Sequence, residues 1–84
     1  MSANPGAVQS VQRAFSILEA MAAEGGEIGV SRSATTTALP LPTIHRAIKT
    51  LVTLDYVRQE TNRRYSLGAR LLYLGDAAGR GLLA

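Results

Sequence analysis

The sequence predicts a mostly α fold with one small β-hairpin. Three observations carry the prediction: two apolar stripes at helical spacing, a proline pair at the head of the second stripe, and two β-prone strips behind it joined by a polar tip. Eighty-four residues suffice for one small domain. A chain of that length buries only about 60 to 65% of its unfolded surface, so the core must be compact. A hydrophobic content of 46% is too high for a disordered tail. No apolar run approaches the roughly 18 residues of a membrane span. Met1 to Gly6 lacks the basic-then-apolar order of a signal peptide. The absence of cysteine removes disulfides and thiolate metal sites and suits a reducing compartment, so the expected location is cytoplasmic, with no membrane partner.

Residues 1–9 contain Asn4-Pro5-Gly6 and show no periodicity, which reads as a flexible lead-in. A first helix is expected from Ser10, as its N-cap, to about Glu24, with Val11, Ala14, Phe15, Leu18, Met21 and Ala22 as the core stripe. Gly25-Gly26 ends it. Glu27-Ile28-Gly29-Val30 reads as a short extended segment, after which Ser31 is expected to cap a second helix over about Arg32 to Ala38. Thr35, Thr36 and Thr37 are poor helix formers, so this helix depends on packing through Ala34 and Leu39. Pro40 and Pro42 bracket the start of a third helix, where a missing amide proton costs little because first-turn donors lack intrahelical partners. That helix runs over about 41–54 and stops at Asp55, which tolerates left-handed backbone. Tyr56–Gln59 and Arg64–Leu67 then form the hairpin, and Gly68 closes it. Ala69 to Leu74 opens a fourth helical stretch, weakened by Gly75, Gly79 and Gly81. Three short helices, a short strand and a basic hairpin after the third helix describe a winged helix-turn-helix over residues 10–67. In that fold the helix after the tight turn enters the major groove and the wing reaches flanking DNA.

Charge supports a nucleic-acid partner through its distribution. The chain carries a net +3. Residues 1–31 hold Arg13 against Glu19, Glu24 and Glu27, whereas residues 32–64 hold Arg32, Arg46, Lys49, Arg58, Arg63 and Arg64 against only Asp55 and Glu60. A solvated basic face gives the same count. The third helix adds direction. At roughly 100° per residue, Leu41, Ile44, Ala47, Ile48 and Leu51 share one side, while Pro42, Thr43, Arg46, Lys49, Thr50 and Thr53 fall within an arc of roughly 120° on the other, which contains no carboxylate. His45 lies on the boundary beside Val52 and reads as a half-buried packing residue. As the lone histidine of a cysteine-free chain it has no zinc-site company. No nucleophile, base and orienting group recur together, so no catalytic residue, metal or cofactor is expected and the chain does not read as an enzyme.

Four segments in order resemble the N-terminal DNA-binding domain of the IclR family of bacterial transcriptional regulators. Ser10-Val11-Gln12-Arg13-Ala14-Phe15-Ser16-Ile17-Leu18 is similar to that family's opening, and Leu39-Pro40-x-x-Thr43-Ile44-His45-Arg46 to its entry into the recognition helix. Leu51-Val52-x-Leu54-x-Tyr56-Val57 resembles the exit, and Arg64-Tyr65-x-Leu67-Gly68-x-Arg70-Leu71 the strand and linker signature. The strings L-P-L-P-T-I-H-R and N-R-R-Y are also similar to those of actinobacterial members that govern allantoin or glyoxylate breakdown. The chain departs from the family pattern at Ser33, where Leu or Ile is usual, and at Ala38 and Asp55, where Gly is common. If Ala38 keeps φ above zero, the strain is about 1 kcal/mol.

The resemblance implies a repressor-type regulator whose homodimer sets two recognition helices on a pseudo-palindromic operator in double-stranded DNA. It also implies a small-molecule effector bound through a further domain, with residues 68–84 as the start of the linker helix. Its expected DNA-binding residues are Ser31, Arg32, Leu41, Pro42, Thr43, Arg46, Lys49, Thr50, Arg63 and Arg64. Arg46 has the geometry for guanine O6/N7 or a bidentate phosphate contact, and Leu41, Pro42 and Thr43 bring methyl groups to the first turn. Lys49 and Thr50 suit the sugar–phosphate backbone, Arg63 and Arg64 suit phosphates or a narrow minor groove, and Ser31 with Arg32 suits a phosphate at a helix start. The competing reading is a winged-helix module for protein association. It rests on Leu71, Leu72, Leu74, Leu82 and Leu83, which so short a chain cannot easily bury together.

Overall fold

The computed structural model describes residues 6–83. The expected lead-in over residues 1–9 therefore falls mostly outside the described residues. From Gln9 onward the order is α1 (Gln9–Ala23), β1 (Glu27–Gly29), α2 (Val30–Thr37), α3 (Leu41–Thr53), β2 (Val57–Gln59), β3 (Arg64–Leu67) and α4 (Ala69–Leu83). This is a winged helix-turn-helix, with α2 and α3 as the motif's two helices and β2–β3 as its wing. The hairpin expected from sequence gains a third strand. β1 pairs antiparallel with β3, Ile28 opposite Tyr65, and gives the order β1-β3-β2. Gly26 O accepts from Leu67 N at 2.9 Å and carries that ladder into the turn after α1.

One cluster forms the core: Ile17, Leu18, Ala20 and Met21 from α1, Ile28 from β1, Ile44, Ile48 and Leu51 from α3, and Val57 from β2. Of the expected α1 stripe, Leu18 and Met21 are in the core and Ala14 packs against it, but the buried side is rotated toward Ile17 and Ala20. Ile17 and Ala20 are buried, whereas Val11 and Phe15 are 52% and 59% exposed and Ala22 is open to solvent. Both α2 and α3 pack on the Ile17–Ala20–Met21 side, and no described element covers the other edge of the apolar arc. Periodicity locates an apolar arc; tertiary neighbours decide how much of it is covered.

Two expected caps are also replaced. Val8, not Ser10, is the N-cap of α1, and its carbonyl accepts from Val11 N and Gln12 N. Gly29, not Ser31, is the N-cap of α2, because β1 runs through an extended Gly29 (φ −87°, ψ 160°) straight into the helix. Ser31 is thus inside the first turn and exposed. The hydroxyls of this threonine-rich helix bond back to their own backbone. Ser33 donates to Gly29 O at 3.1 Å, Thr35 to Ser31 O at 3.1 Å and Thr37 to Ser33 O at 2.6 Å. Ser33 is fully buried, so its bond to Gly29 is what makes a hydroxyl tolerable where a larger apolar side chain is usual in the family.

Both longer helices of the core end in Schellman motifs. Gly26 N donates to Met21 O and Gly25 N to Ala22 O after α1; Tyr56 N donates to Leu51 O and Asp55 N to Val52 O after α3. Asp55 takes the left-handed position at φ 67°, as its sequence placement implied, and Ala38 does so after α2 at φ 58°. The Asp55 turn also starts α4: its carbonyl accepts from Arg70 N at 3.2 Å, while Gly68 N donates to Tyr56 O at 2.9 Å. A Cβ on Gly68 would lie 2.3 Å from Asp55 O and 2.9 Å from two further backbone carbons. Only glycine permits this crossing. Helix α4, the fourth helical stretch expected from Ala69, continues through Gly75, Gly79 and Gly81 to Leu83 without burying any residue.

Two stability outcomes follow. Gly68→Ala forces two backbone segments apart and is expected to destabilise the domain by about 1–3 kcal/mol or more, a fall of roughly 4–8 °C in Tm for each kcal/mol. An unchanged thermal melt contradicts the close crossing. Ala38→Gly relieves the left-handed alanine and is expected to stabilise by about 0.5–1 kcal/mol; a lower melting temperature contradicts strain at this turn.

Candidate nucleic-acid interface

Burial of Ile44, Ile48 and Leu51 fixes the rotation of α3 about its axis. Pro42, Arg46, Lys49, Thr50 and Thr53 consequently face outward, and all are exposed. Leu41 is 47% exposed at the first turn. Thr43 is half-buried on the flank toward α1. His45 is exposed rather than half-buried. Leu41, one turn before it, is exposed too, so His45 falls on the solvent side of the boundary between the two faces. No side-chain hydrogen bond caps α3, and Pro40 and Pro42 have no amide proton. The open first-turn donors are accordingly the Leu41 and Thr43 amides, since Ile44 N already donates to Pro40 O.

Among the described residues, Arg46 and Lys49 form no ion pair and no side-chain hydrogen bond, so their full charge faces solvent. The Thr50 hydroxyl donates to Arg46 O and the Thr53 hydroxyl to Lys49 O, each at 3.0 Å. A phosphate oxygen only accepts, so these threonines reach one only after a rotamer change.

The wing is built on its own short-range bonds. Glu60 N donates to Arg64 O at 2.8 Å, and Asn62 Oδ1 accepts from Arg64 N at 3.3 Å. Arg63 takes the tip's left-handed position at φ 62° and projects into solvent without an ion pair among the described residues. The Glu60 carboxylate accepts from Ser66 Oγ at 2.7 Å and Arg58 Nε at 3.0 Å. These two bonds, Ser66 first, hold Glu60 below the usual carboxylate range. What they contribute to the folded wing is present above that range and is lost as pH falls through the folded-state value.

The remaining two expected cations are engaged. Arg64 pairs through Nε with Glu27 of β1, and Arg32 pairs through Nε with Glu24 at the end of α1. The hydrogen bond to Glu24, then its charge, raises the Arg32 pKa further above its ordinary value. Sequence reading missed both carboxylate partners. The only available signal was the acidic balance of the first 31 residues against the basic middle, because neither pair is local in sequence.

The surface therefore has three parts. The outward face of α3 carries free cations, the tip of the wing carries a third, and the flanking arginines of α2 and β3 are held by carboxylates. An apolar groove of about 620 Å³ runs beside α3, between Val11 and Phe15 of α1 and Leu71 and Leu74 of α4, and Thr43, Arg46 and Thr50 line its α3 wall. Leu72, Leu82 and Leu83 stand out from α4, each more than three-quarters exposed. No described helix is long and apolar enough to cross a membrane.

Comparison with known proteins assigns this architecture to a family. The IclR helix-turn-helix domain matches residues 10–61, more than half of the chain. The chain is 37% identical over 75 residues to the HTH-type transcriptional regulator KdgR of Escherichia coli, covering 88% of this chain and 28% of that protein. It is 37% identical over 71 residues to the glycerol operon regulatory protein of Streptomyces griseus, covering 83% and 28%. Among solved structures, an IclR family transcriptional regulator from Brucella abortus superposes with a TM-score of 0.79 at 32% identity, covering 88% of this chain and 29% of that one. An IclR-type regulator from Alicyclobacillus acidocaldarius gives 0.81 at 29% identity, covering 87% and 30%. The chain thus spans less than a third of the length of these relatives. On its matched sequence and its winged fold, the chain belongs to the IclR helix-turn-helix family.

Proposed function

We propose that residues 10–67 form the DNA-binding head of a transcriptional regulator, with α3 as the helix that enters the major groove. The observation that carries this reading is the carboxylate-free outward face of α3, where Arg46 and Lys49 are unpaired among the described residues. Membership of a family whose named relatives are transcriptional regulators supports it. Arg46, near the middle of that face, reads a guanine edge or clamps a phosphate through its planar fork. Leu41, Pro42 and Thr43 bring methyl and methylene groups to the leading turn, where they meet thymine methyls. Lys49 and Thr50 lie one turn further on and hold the sugar–phosphate backbone. Arg63 and Arg64 extend the contact to flanking DNA, and Ser31 with Arg32 meets a phosphate at the start of α2.

The regulator works as a homodimer on a pseudo-palindromic operator in the cytoplasm, with α4 as the start of a linker helix whose exposed leucines meet a second copy. A small-molecule effector acts through a domain outside residues 10–67, and the protein is not an enzyme. This division also accounts for the leucines behind the protein-association reading, without withdrawing the basic face of α3 from DNA.

Binding-site selection followed by titration tests the assignment of Arg46. Arg46→Ala is expected to weaken binding to the selected site by about 1–3 kcal/mol and to relax preference at one base position. A loss uniform across sequences reassigns Arg46 to phosphate. Replacing Arg63 and Arg64 together by Ala is expected to lower the slope of log affinity against log salt by about 1 to 2; an unchanged slope removes the wing from the contact surface.

A further inference from the structure

Two carboxylates on the segment joining α1 to β1 each hold an arginine that flanks α3. Glu24, the C-cap residue of α1, takes Nε of Arg32 in the first turn of α2, and Glu27, the first residue of β1, takes Nε of Arg64 at the start of β3. Resting on the DNA-binding reading above, we infer that Glu24 and Glu27 restrain duplex binding by competing with phosphate for Arg32 and Arg64.

The chemistry of the guanidinium gives the competition its force. A bidentate phosphate contact uses a pair of N–H donors, and with Nε of both arginines committed to a carboxylate the side-on fork is closed and only the end-on Nη pair is left for phosphate. Arg64 also donates from Nη2 to Glu27 O at 3.5 Å, which turns a second donor toward the sheet edge. An ion pair that meets the duplex intact is neutral as a unit. It neutralises no phosphate and releases no counterion, whereas Arg46, Lys49 and Arg63 each do so in full.

Placement argues against a purely stabilising role for the carboxylates. Glu24 lies at the C-terminal end of α1, where the helix dipole disfavours an anion and no basic residue occupies the last turn. Glu27 stands opposite Ser66 across the sheet and reaches diagonally to Arg64, which itself lies opposite Gly29. Both pairs are open to solvent, with side-chain exposures of 63% and 30% for Arg32 and Glu24 and 45% and 44% for Arg64 and Glu27. Exposed pairs are individually weak, so phosphate can displace either carboxylate and the restraint is graded.

The test uses the 84-residue chain and a fluorescein-labelled duplex of mixed sequence, titrated by anisotropy across a salt series. Glu27→Gln is expected to tighten binding by about three- to tenfold at low salt and to steepen the salt slope by about one. Glu27→Asp, which keeps the charge, is expected to stay near the unmodified chain. In an Arg64→Ala background Glu27→Gln is expected to have no effect, and Glu24→Gln with Arg32→Ala gives the same cycle for the other pair. Thermal melts check that each variant is folded. Unchanged or weaker binding by Glu27→Gln, with the unmodified chain still binding, overturns the restraint and leaves the DNA-binding reading standing. An equal gain in the Arg64→Ala background also overturns it, because long-range repulsion then explains the effect without the pair. Absence of salt-dependent binding by the unmodified chain removes the DNA-binding reading and this inference together.

Discussion

The packing of α3 on α1, in the core that holds Ile17, Met21, Ile44 and Ile48, is the contact from which the other features follow. Ile17, Met21 and Ile44 have no solvent exposure, and burying each such side chain contributes roughly 1.5–3 kcal/mol. Single-domain proteins retain only about 5–15 kcal/mol of net stability, so losing one of these side chains removes a large part of the total. The same contact sets the azimuth of α3. Once Ile44, Ile48 and Leu51 face inward, the helical period leaves Arg46, Lys49 and Pro42 no direction but outward. Stability and recognition are thus written on opposite sides of one helix.

A second constraint fixes where that helix stops and what comes next. The left-handed turn at Asp55 places its carbonyl over Gly68, and that carbonyl then accepts the Arg70 amide at the start of α4. The wing is the loop between these two points. Its base is closed by backbone contact, so the position of Arg63 at its tip depends on a glycine that touches no ligand. An apolar groove runs along α3 between α1 and α4, and α4 carries the exposed Leu72, Leu82 and Leu83. The polar face suited to a polyanion and the apolar surface suited to another protein surface therefore meet along α3, at Thr43, Arg46 and Thr50.

What sequence revealed and what it concealed divide along the locality of the interactions. Helix α3 was read nearly residue for residue, because Pro40, Pro42 and Asp55 mark its ends and its two faces differ sharply in polarity. The wing was equally plain in its β-prone strips and polar tip. The caps were misplaced because Ser10 and Ser31 are favoured cap residues, yet backbone conformation at Val8 and Gly29 caps each helix two residues earlier. The core side of α1 was legible at Ala14, Leu18 and Met21 but not at Ile17 and Ala20, because its apolar arc is wider than the domain covers. The short strand at residues 27–29 was expected, but its pairing with β3 and the two arginine–glutamate pairs depend on chain segments brought together only by folding, and no spacing rule reports them.

Amide chemical-shift mapping of the 84-residue chain during titration with duplex DNA distinguishes the two surfaces directly. Assignment of α3 as the groove-facing helix predicts the largest changes at the Leu41 and Thr43 amides, through Arg46 to Thr50, and at the wing tip around Arg63. Changes confined to Val11, Phe15 and the exposed face of α4, with α3 unaffected, would contradict it.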